Sequence, residues 1–219
     1  MNDALTPAVV VIRHFEDLPN PPPNTPPTWP GPFCYPMPSG SPIGVPWRRL
    51  NPDGIAASLN YGTALSTLIQ TLNHCPVSRV IAQDPRSKDQ TQNPFDTVYP
   101  FLFNLKLQDV QLLKDGNALL GTPHNALLPD ASHSTLICWD RQTLWGDKQL
   151  DLNLFLGKMR RGTAPSLNDA PVKAPTASPN GIYVFTNYKS SDDKFDLVIH
   201  QTLTDRASTG PQPTPGPCK

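Results

Sequence analysis

The chain has 219 residues, 28 of them proline, and 18 acidic and 18 basic side chains, so its formal net charge is zero. This length suffices for one sizeable core, and we expect a single domain at 1–207 followed by a proline-rich, disordered tail at 208–219. A neutral chain has no overall field that favours nucleic acid or anionic lipid, and no apolar stretch approaches the roughly 20 residues that span a bilayer. We therefore expect a soluble, cytoplasmic protein without a nucleic-acid or membrane partner.

The first predicted strand begins in the apolar run Ala8-Val9-Val10-Val11. A continuous β-branched run is typical of a strand that is buried on both faces. Ile12-Arg13-His14-Phe15-Glu16 follows directly, which predicts that Arg13 and His14 lie where this strand ends. Open α/β sheets place their chemistry at such strand ends.

Residues 18–47 form a proline-rich segment, which we expect to be a long, stiff loop. Proline cannot donate to a strand ladder or continue a helix. The segment follows soon after Arg13 and His14 and contains several aromatic residues, including Trp29 and Tyr35. Because a solvated linker rarely has so many aromatic residues, the segment is predicted to be a lid or pocket wall rather than a disordered insertion.

The rest of the chain alternates between helical and extended patterns. Asn51-Pro52-Asp53 predicts a helix start, with Asn51 as N-cap, and apolar residues then recur at helical spacing as far as Leu72. Further strands are predicted at 77–83, 110–113 and 134–139, helices at 94–105 and 142–159, and a hairpin at 182–185 and 195–199. This alternation predicts an α/β fold, a three-layer α/β/α sandwich around a mostly parallel central sheet.

Several phrases of the chain resemble one known family in both composition and order. Ile12-Arg13-His14-Phe15-Glu16 resembles the Arg-His-Gly-Glu phrase of the histidine phosphatase superfamily, which has the phosphoglycerate-mutase-like fold. Leu50-Asn51-Pro52-Asp53-Gly54 is similar to its Leu-Thr-Pro-Glu-Gly helix start. Leu136-Ile137-Cys138-Trp139-Asp140-Arg141 resembles the Leu-Ile-Cys-Trp-Glu-His phrase of small bacterial members. Residues 78–85 and 94–100 resemble the family's second strand and second helix.

The resemblance implies hydrolysis of a phosphomonoester through a phosphohistidine at His14. Arg13 and Arg141 would bind the phosphate, and Asp140, which matches an acidic position of the family, is the preferred candidate for the proton donor. A neutral imidazole is a competent nucleophile, and guanidinium groups neutralise charge on the transferred group. The implied substrate is a small anionic or phosphorylated molecule, and neither a cofactor nor a metal is expected.

The chain departs from the family at several of the positions that carry the chemistry. The second histidine is Arg141 here, and arginine stays protonated, so it cannot exchange a proton. The second arginine aligns with Asn93, and Arg86 in the preceding loop is a candidate for the missing positive charge. The predicted substrate-binding residues are Glu16, Phe15, Arg86, Asn93, Trp29 and Tyr35.

These departures leave two alternatives to a phosphatase. One is a repurposed enzyme, for example of biosynthesis, that uses His14 as an acid or base in a pocket closed by the aromatic segment. The other is a pseudophosphatase that binds its ligand without turnover. We favour an enzyme, because a pure pseudoenzyme has no evident need to keep the nucleophile.

The remaining histidines and the cysteines are given structural roles. His124 is predicted to be exposed in a loop, His133 to lie at the sheet edge opposite His14, and His200 to be a structural strand residue. The four cysteines lack the paired spacing of zinc or redox motifs, and Cys138 is predicted to be a core thiol.

Overall fold

The computed structural model describes residues 5–14, 33–38, 42–45, 73–86, 93–139, 151–161, 182–200 and 216–217. In chain order the elements are β1 (Val9–Arg13), β2 (Phe33–Tyr35), β3 (Ile43–Val45), β4 (Val77–Gln83), α1 (Asn93–Asn104), β5 (Asp109–Leu113), α2 (Gly116–Leu120), a 3-10 helix (His124–Leu127), β6 (Ser134–Trp139), α3 (Asp151–Met159), β7 (Ile182–Lys189), β8 (Lys194–His200) and β9 (Gly216–Pro217). The helix predicted from Asn51 and the first part of the helix predicted at 142–159 lie outside these residues.

A six-stranded sheet with the order β5-β4-β6-β1-β7-β8 forms the centre of the fold. Strands β5, β4, β6 and β1 are parallel to one another, whereas β7 is antiparallel to both β1 and β8. Five of the six strands therefore run in the same direction, which confirms the mostly parallel sheet predicted from the alternation of elements.

Helices cover both faces of this sheet. On one face Val98 and Phe101 of α1 pack in a core with strand residues such as Val10. On the other face Leu119 of α2 and Phe155 of α3 pack in a second core. All six residues of β6 are buried because both of its faces are covered. These layers confirm the predicted three-layer α/β/α sandwich.

The ends of the longer elements agree closely with the sequence pattern, whereas two short helices were not predicted. Strands β4 and β6 have the predicted bounds, and α1 begins one residue earlier than expected. Helix α2 and the 3-10 helix are too short to show a periodic pattern. The start of α2 is capped by Asp115, whose carboxylate accepts a hydrogen bond from the backbone N–H of Ala118 at 3.0 Å.

A second sheet of three strands, with the order β3-β2-β9, lies in segments that were predicted to contain no strands. Strands β2 and β3 belong to the proline-rich segment, and β9 belongs to the predicted tail. The prediction was wrong for these residues because 33–35 and 43–45 contain no proline and keep every backbone donor. Pro217 pairs with Phe33 at the outer strand β9, where proline is tolerated.

Candidate functional site

The predicted nucleophile lies at the end of the central strand β1. The β-branched run of β1 pairs with β6 on one side and β7 on the other, so the position of its last residues is fixed from both sides. His14 follows β1 directly and is buried, with 3% of its surface exposed. Its backbone N–H donates to the carbonyl of Trp139, the last residue of β6, at 3.2 Å. A buried histidine therefore stands where the sequence predicted the chemistry.

Three parallel strands end at the same side of the sheet as His14. The register aligns Ala82 of β4, Cys138 of β6 and Ile12 of β1 in one row. Asp84 and His14 each lie two positions further along their own chain segments. Their backbones are therefore separated by about two strand spacings, or roughly 10 Å. We call the side marked by His14, Trp139 and Asp84 the carboxyl edge. Asp140 and Arg141 directly follow Trp139 in the sequence, and both lie outside the described residues.

An ion pair between Asp84 and Arg86 occupies the carboxyl edge at the end of β4. The backbone N–H of Asp84 donates to the carbonyl of Leu113 in β5 at 2.8 Å, so Asp84 extends the ladder of β4 by one residue. The Asp84 carboxylate accepts hydrogen bonds from the backbone N, Nε and Nη2 of Arg86 at 2.9, 2.8 and 2.7 Å. The guanidinium of Arg86 is therefore held in a two-pronged geometry while its side chain stays 57% exposed.

The charge states of this pair follow from the same contacts. Burial alone would raise the pKa of Asp84, but the hydrogen bonds and positive charge of Arg86 outweigh burial and lower that pKa below its ordinary value. The hydrogen bonds that the Arg86 side chain donates to the Asp84 carboxylate raise the pKa of Arg86. Arg86 thus provides a fixed positive charge at the end of β4, and we did not foresee its pairing with Asp84 from the sequence. An Asp two residues before an Arg in a turn was the local signal that could have revealed it.

Tyr35, one of the predicted substrate-binding aromatics, packs against the first turns of α1. Its ring is fully buried and meets Phe95 and Tyr99 edge to face, with centroid distances of 5.3 and 4.7 Å. Its hydroxyl donates to Oδ1 of Asp96, which is 1% exposed. In this position Tyr35 fixes β2 to α1, and any role of Tyr35 in binding stays a prediction. The same holds for Asn93, the first residue of α1, whose side chain is not described.

Much of the predicted site lies outside the part of the chain that the structure describes. This applies to Phe15, Glu16, Trp29, Asp140 and Arg141, and to the side chain of Arg13, although Arg13 itself ends β1 opposite Trp139. Among the predicted residues that the structure describes, His14, Arg13 and Arg86 lie at the carboxyl edge, and Asn93 begins α1 on the same side.

His124 differs from its sequence prediction, whereas His200 lies in a strand as predicted. His124, predicted to be exposed, is 9% exposed, and its Nδ1 lies 2.6 Å from the carbonyl oxygen of Asp193 in the β7–β8 turn. The turn between these strands lies at the edge opposite His14, since β7 starts beside Ile12. His200 pairs with Ile182, which in turn pairs with Ile12, so the backbone of His200 lies near the carboxyl edge. No local pattern revealed this, because only the antiparallel direction of β7 places the end of β8 there.

His133 agrees with its prediction and precedes β6 at the opposite edge. Its Nδ1 lies 2.8 Å from the carboxylate of Asp130. Hydrogen bonds from Ser132 and then from His133 lower the pKa of Asp130 to about 2. Among the described residues there is no group of three or more metal-ligating side chains and no helix long and apolar enough to cross a membrane.

Comparison with known proteins gives matches by structure only. No family model and no curated protein sequence matches the chain. A structure assigned as the phosphohistidine phosphatase SixA of Agrobacterium tumefaciens is 10% identical, covers 92% of this chain and 99% of its own, and has a TM-score of 0.44. The protein histidine phosphatase SixA in complex with tungstate is 10% identical, with coverages of 90% and 96% and a TM-score of 0.45.

A phosphoglycerate mutase from Plasmodium falciparum is 14% identical, covers 94% of this chain and 98% of its own, and has a TM-score of 0.43. Over nine-tenths of its length, the chain is similar to structures of two histidine phosphatases and one phosphoglycerate mutase.

Proposed function

We propose that the protein hydrolyses a small phosphomonoester through a phosphohistidine at His14. The observation that supports this most strongly is the burial of His14 at the carboxyl edge, with its backbone bonded to Trp139. That hydrogen bond brings the Arg13-His14 phrase next to the strand that leads into Asp140 and Arg141. The ends of β1 and β6, about 125 residues apart in the sequence, are therefore neighbours at one edge, as a phosphate pocket built from both phrases requires.

In this proposal His14 attacks phosphorus as a neutral imidazole and the ester P–O bond breaks. Asp140 gives a proton to the leaving oxygen. Water then attacks phosphorus and gives a proton back to the Asp140 carboxylate while the P–N bond breaks, which releases phosphate and restores the neutral imidazole. Arg13 and Arg141 neutralise the charge that develops on the transferred group. Arginine at position 141 cannot exchange a proton, so slow turnover is expected in comparison with a pocket that has two histidines.

Arg86 is proposed to bind the anionic substrate from the end of β4. Asp84 accepts from Nε and Nη2, which leaves Nη1 directed away from the carboxylate and without a hydrogen bond to any described residue. A guanidinium whose plane is already fixed loses less freedom when it binds a phosphate oxygen. This pair is the described feature that best fits recognition of an anion.

The decisive experiment measures phosphate release from a panel of phosphomonoesters by the wild type and by His14→Ala. We expect the variant to lose at least about 10³-fold in kcat. Because His14 is buried, His14→Asn serves as a second variant of similar volume, and circular dichroism verifies that both variants are folded. Acid-labile, alkali-stable phosphate should be trapped on the wild type and on neither variant.

His133→Ala is the matched control, since His133 is a histidine at the opposite edge of the same sheet. It should leave phosphate release unchanged. Folded His14 variants that release phosphate as fast as the wild type would refute the proposal. Turnover of non-phosphate substrates that depends on His14 would support the repurposed enzyme, and binding of inorganic phosphate without any turnover would support the pseudophosphatase.

A further inference from the structure

The cysteines of this chain differ in whether they form a disulfide. Cys75 and Cys138 are buried and form no disulfide, whereas Cys34 in β2 is disulfide-bonded. The sequence contains four cysteines, and the fourth, Cys218, lies outside the described residues. A disulfide within this chain joins two of its cysteines, and Cys75 and Cys138 form none, so the count leaves Cys218 as the partner of Cys34.

Strand pairing supports the same conclusion independently. Cys34 pairs with Gly216 and Phe33 pairs with Pro217, so β9 runs antiparallel along β2. Paired residues of antiparallel strands are about 5 Å apart between their Cα atoms, and two residues of chain span at most about 7 Å. Cys218 follows Gly216 by two residues, and an extended continuation would put its Cα about 8–9 Å from that of Cys34. A disulfide spans at most about 7 Å between Cα atoms, so the proposed bond also requires the chain to bend towards β2 after Pro217.

We infer that Cys34 and Cys218 form a disulfide that fastens the C-terminal segment to the β2–β3 hairpin. The two thiols lose two protons and two electrons when the S–S bond forms. A disulfide of a small thiol or of an oxidoreductase accepts them and becomes two thiols. The bond joins residues 184 positions apart in the sequence and so closes nearly the whole chain into one loop.

The cross-link acts on the segment that packs against α1. Tyr35, adjacent to Cys34, is buried on the first turns of α1 and bonded to Asp96. Helix α1 runs back along the sheet from the end of β4, so its first turns lie towards the carboxyl edge. A two-residue strand such as β9 has few hydrogen bonds of its own, and the disulfide is what keeps it on β2.

A Cys34–Cys218 disulfide also bears on the compartment in which the protein works. Structural disulfides persist in oxidising compartments and are rare in the cytosol. A Cys34–Cys218 bond therefore argues against the cytoplasmic localisation expected from the sequence, and places the active form of the protein in an oxidising environment.

Counting thiols by mass spectrometry tests the inference. The full chain, folded in a mixture of reduced and oxidised glutathione, is unfolded in guanidinium and alkylated with and without prior reduction. We expect two alkyl groups without reduction and four after it. Tryptic cleavage of the unreduced protein should give residues 14–48 joined to residues 207–219, since these peptides contain Cys34 and Cys218.

Variants and heating complete the test. Cys218→Ser should show three alkyl groups without reduction, and the control Cys75→Ala should show one. Reduction should lower the thermal midpoint of the wild type by roughly 5 to 15 °C and should leave that of Cys34→Ser/Cys218→Ser unchanged. Four alkyl groups on the unreduced wild type, or a cross-linked peptide that contains Cys75 or Cys138, would overturn the inference.

Discussion

Replacing Tyr35 with phenylalanine isolates the contact that fixes the β2–β3 hairpin to α1. The ring of Tyr35 is fully buried, and its hydroxyl donates to the carboxyl group of Asp96, which is itself 1% exposed. Phenylalanine keeps the edge-to-face contacts with Phe95 and Tyr99 and removes only the donor. Removing one partner of a buried hydrogen bond costs the desolvation of the other, so we expect the free energy of unfolding to fall by about 1–3 kcal/mol.

Urea denaturation followed by circular dichroism gives this difference from the shift of the transition midpoint, with the slope unchanged. Combining Tyr35→Phe with Asp96→Ala tests the pair, and the coupling energy should be about 0.5–3 kcal/mol. Tyr188→Phe is the matched control, because the Tyr188 hydroxyl also donates to a carboxylate, at 2.7 Å, at an exposed site. It should destabilise the protein much less. A loss below about 0.5 kcal/mol for Tyr35→Phe, or additive effects of the two substitutions, would refute the proposed role of the contact.

The other expectations concern the ion pairs. Asp84→Asn should raise KM for a phosphomonoester about 2- to 5-fold with kcat nearly unchanged, because an exposed ion pair is worth up to about 1 kcal/mol. Arg79→Ala, near the start of the same strand, is the control. A KM of Asp84→Asn equal to that of the wild type would contradict the role of Asp84. The Asp130 carboxyl has a folded pKa of about 2, below its ordinary value. Its contribution to the free energy of unfolding is therefore present above about pH 4 and is lost as the pH falls towards 2. Acid titration of the wild type should show this loss of stability, and Asp130→Asn should lack that part of the pH dependence. Arg161 donates from Nε to Asp192 and from Nη1 to Asp196, both at the β7–β8 hairpin. Arg161→Ala should lower the thermal midpoint in calorimetry, and Arg161→Lys should restore it only in part, since an ammonium cannot form the planar fork. A midpoint equal to that of the wild type in both variants would show that these two ion pairs contribute nothing to stability.

The agreement between sequence and structure is best where a residue's environment depends on its neighbours in the chain. The apolar runs of β4 and β6 end at the predicted residues because a strand covered on both faces needs an uninterrupted apolar pattern. The end of β1 at Arg13, and with it the position of His14, follows from the same pattern. The high proline content of residues 18–47 led to the wrong prediction of a loop at β2 and β3. The prediction used the average composition of the segment, whereas the strands form at short proline-free stretches that pair with each other.

Hydrogen-bond partners far apart in the chain could not be predicted from the sequence. Tyr35 and Asp96 are 61 positions apart, and His124 meets Asp193 across 69 positions. Nothing in the local pattern of either residue identifies its partner, since many compact arrangements satisfy the same hydrophobic periodicity. The Asp84–Arg86 pair is local, yet its geometry depends on the turn that ends β4.

The sequence by itself determined that an α/β sheet would form and that His14 would lie at the end of its first strand, because burial on two faces imposes a pattern that a single chain segment displays. The tertiary structure decided which other groups share that edge. It brought the end of β4 with Asp84 and Arg86 to the side of His14, turned β7 so that His200 ends nearby, and laid the C-terminal strand on β2 beside Cys34. These placements depend on strand order and direction, which are set by packing among segments far apart in the chain.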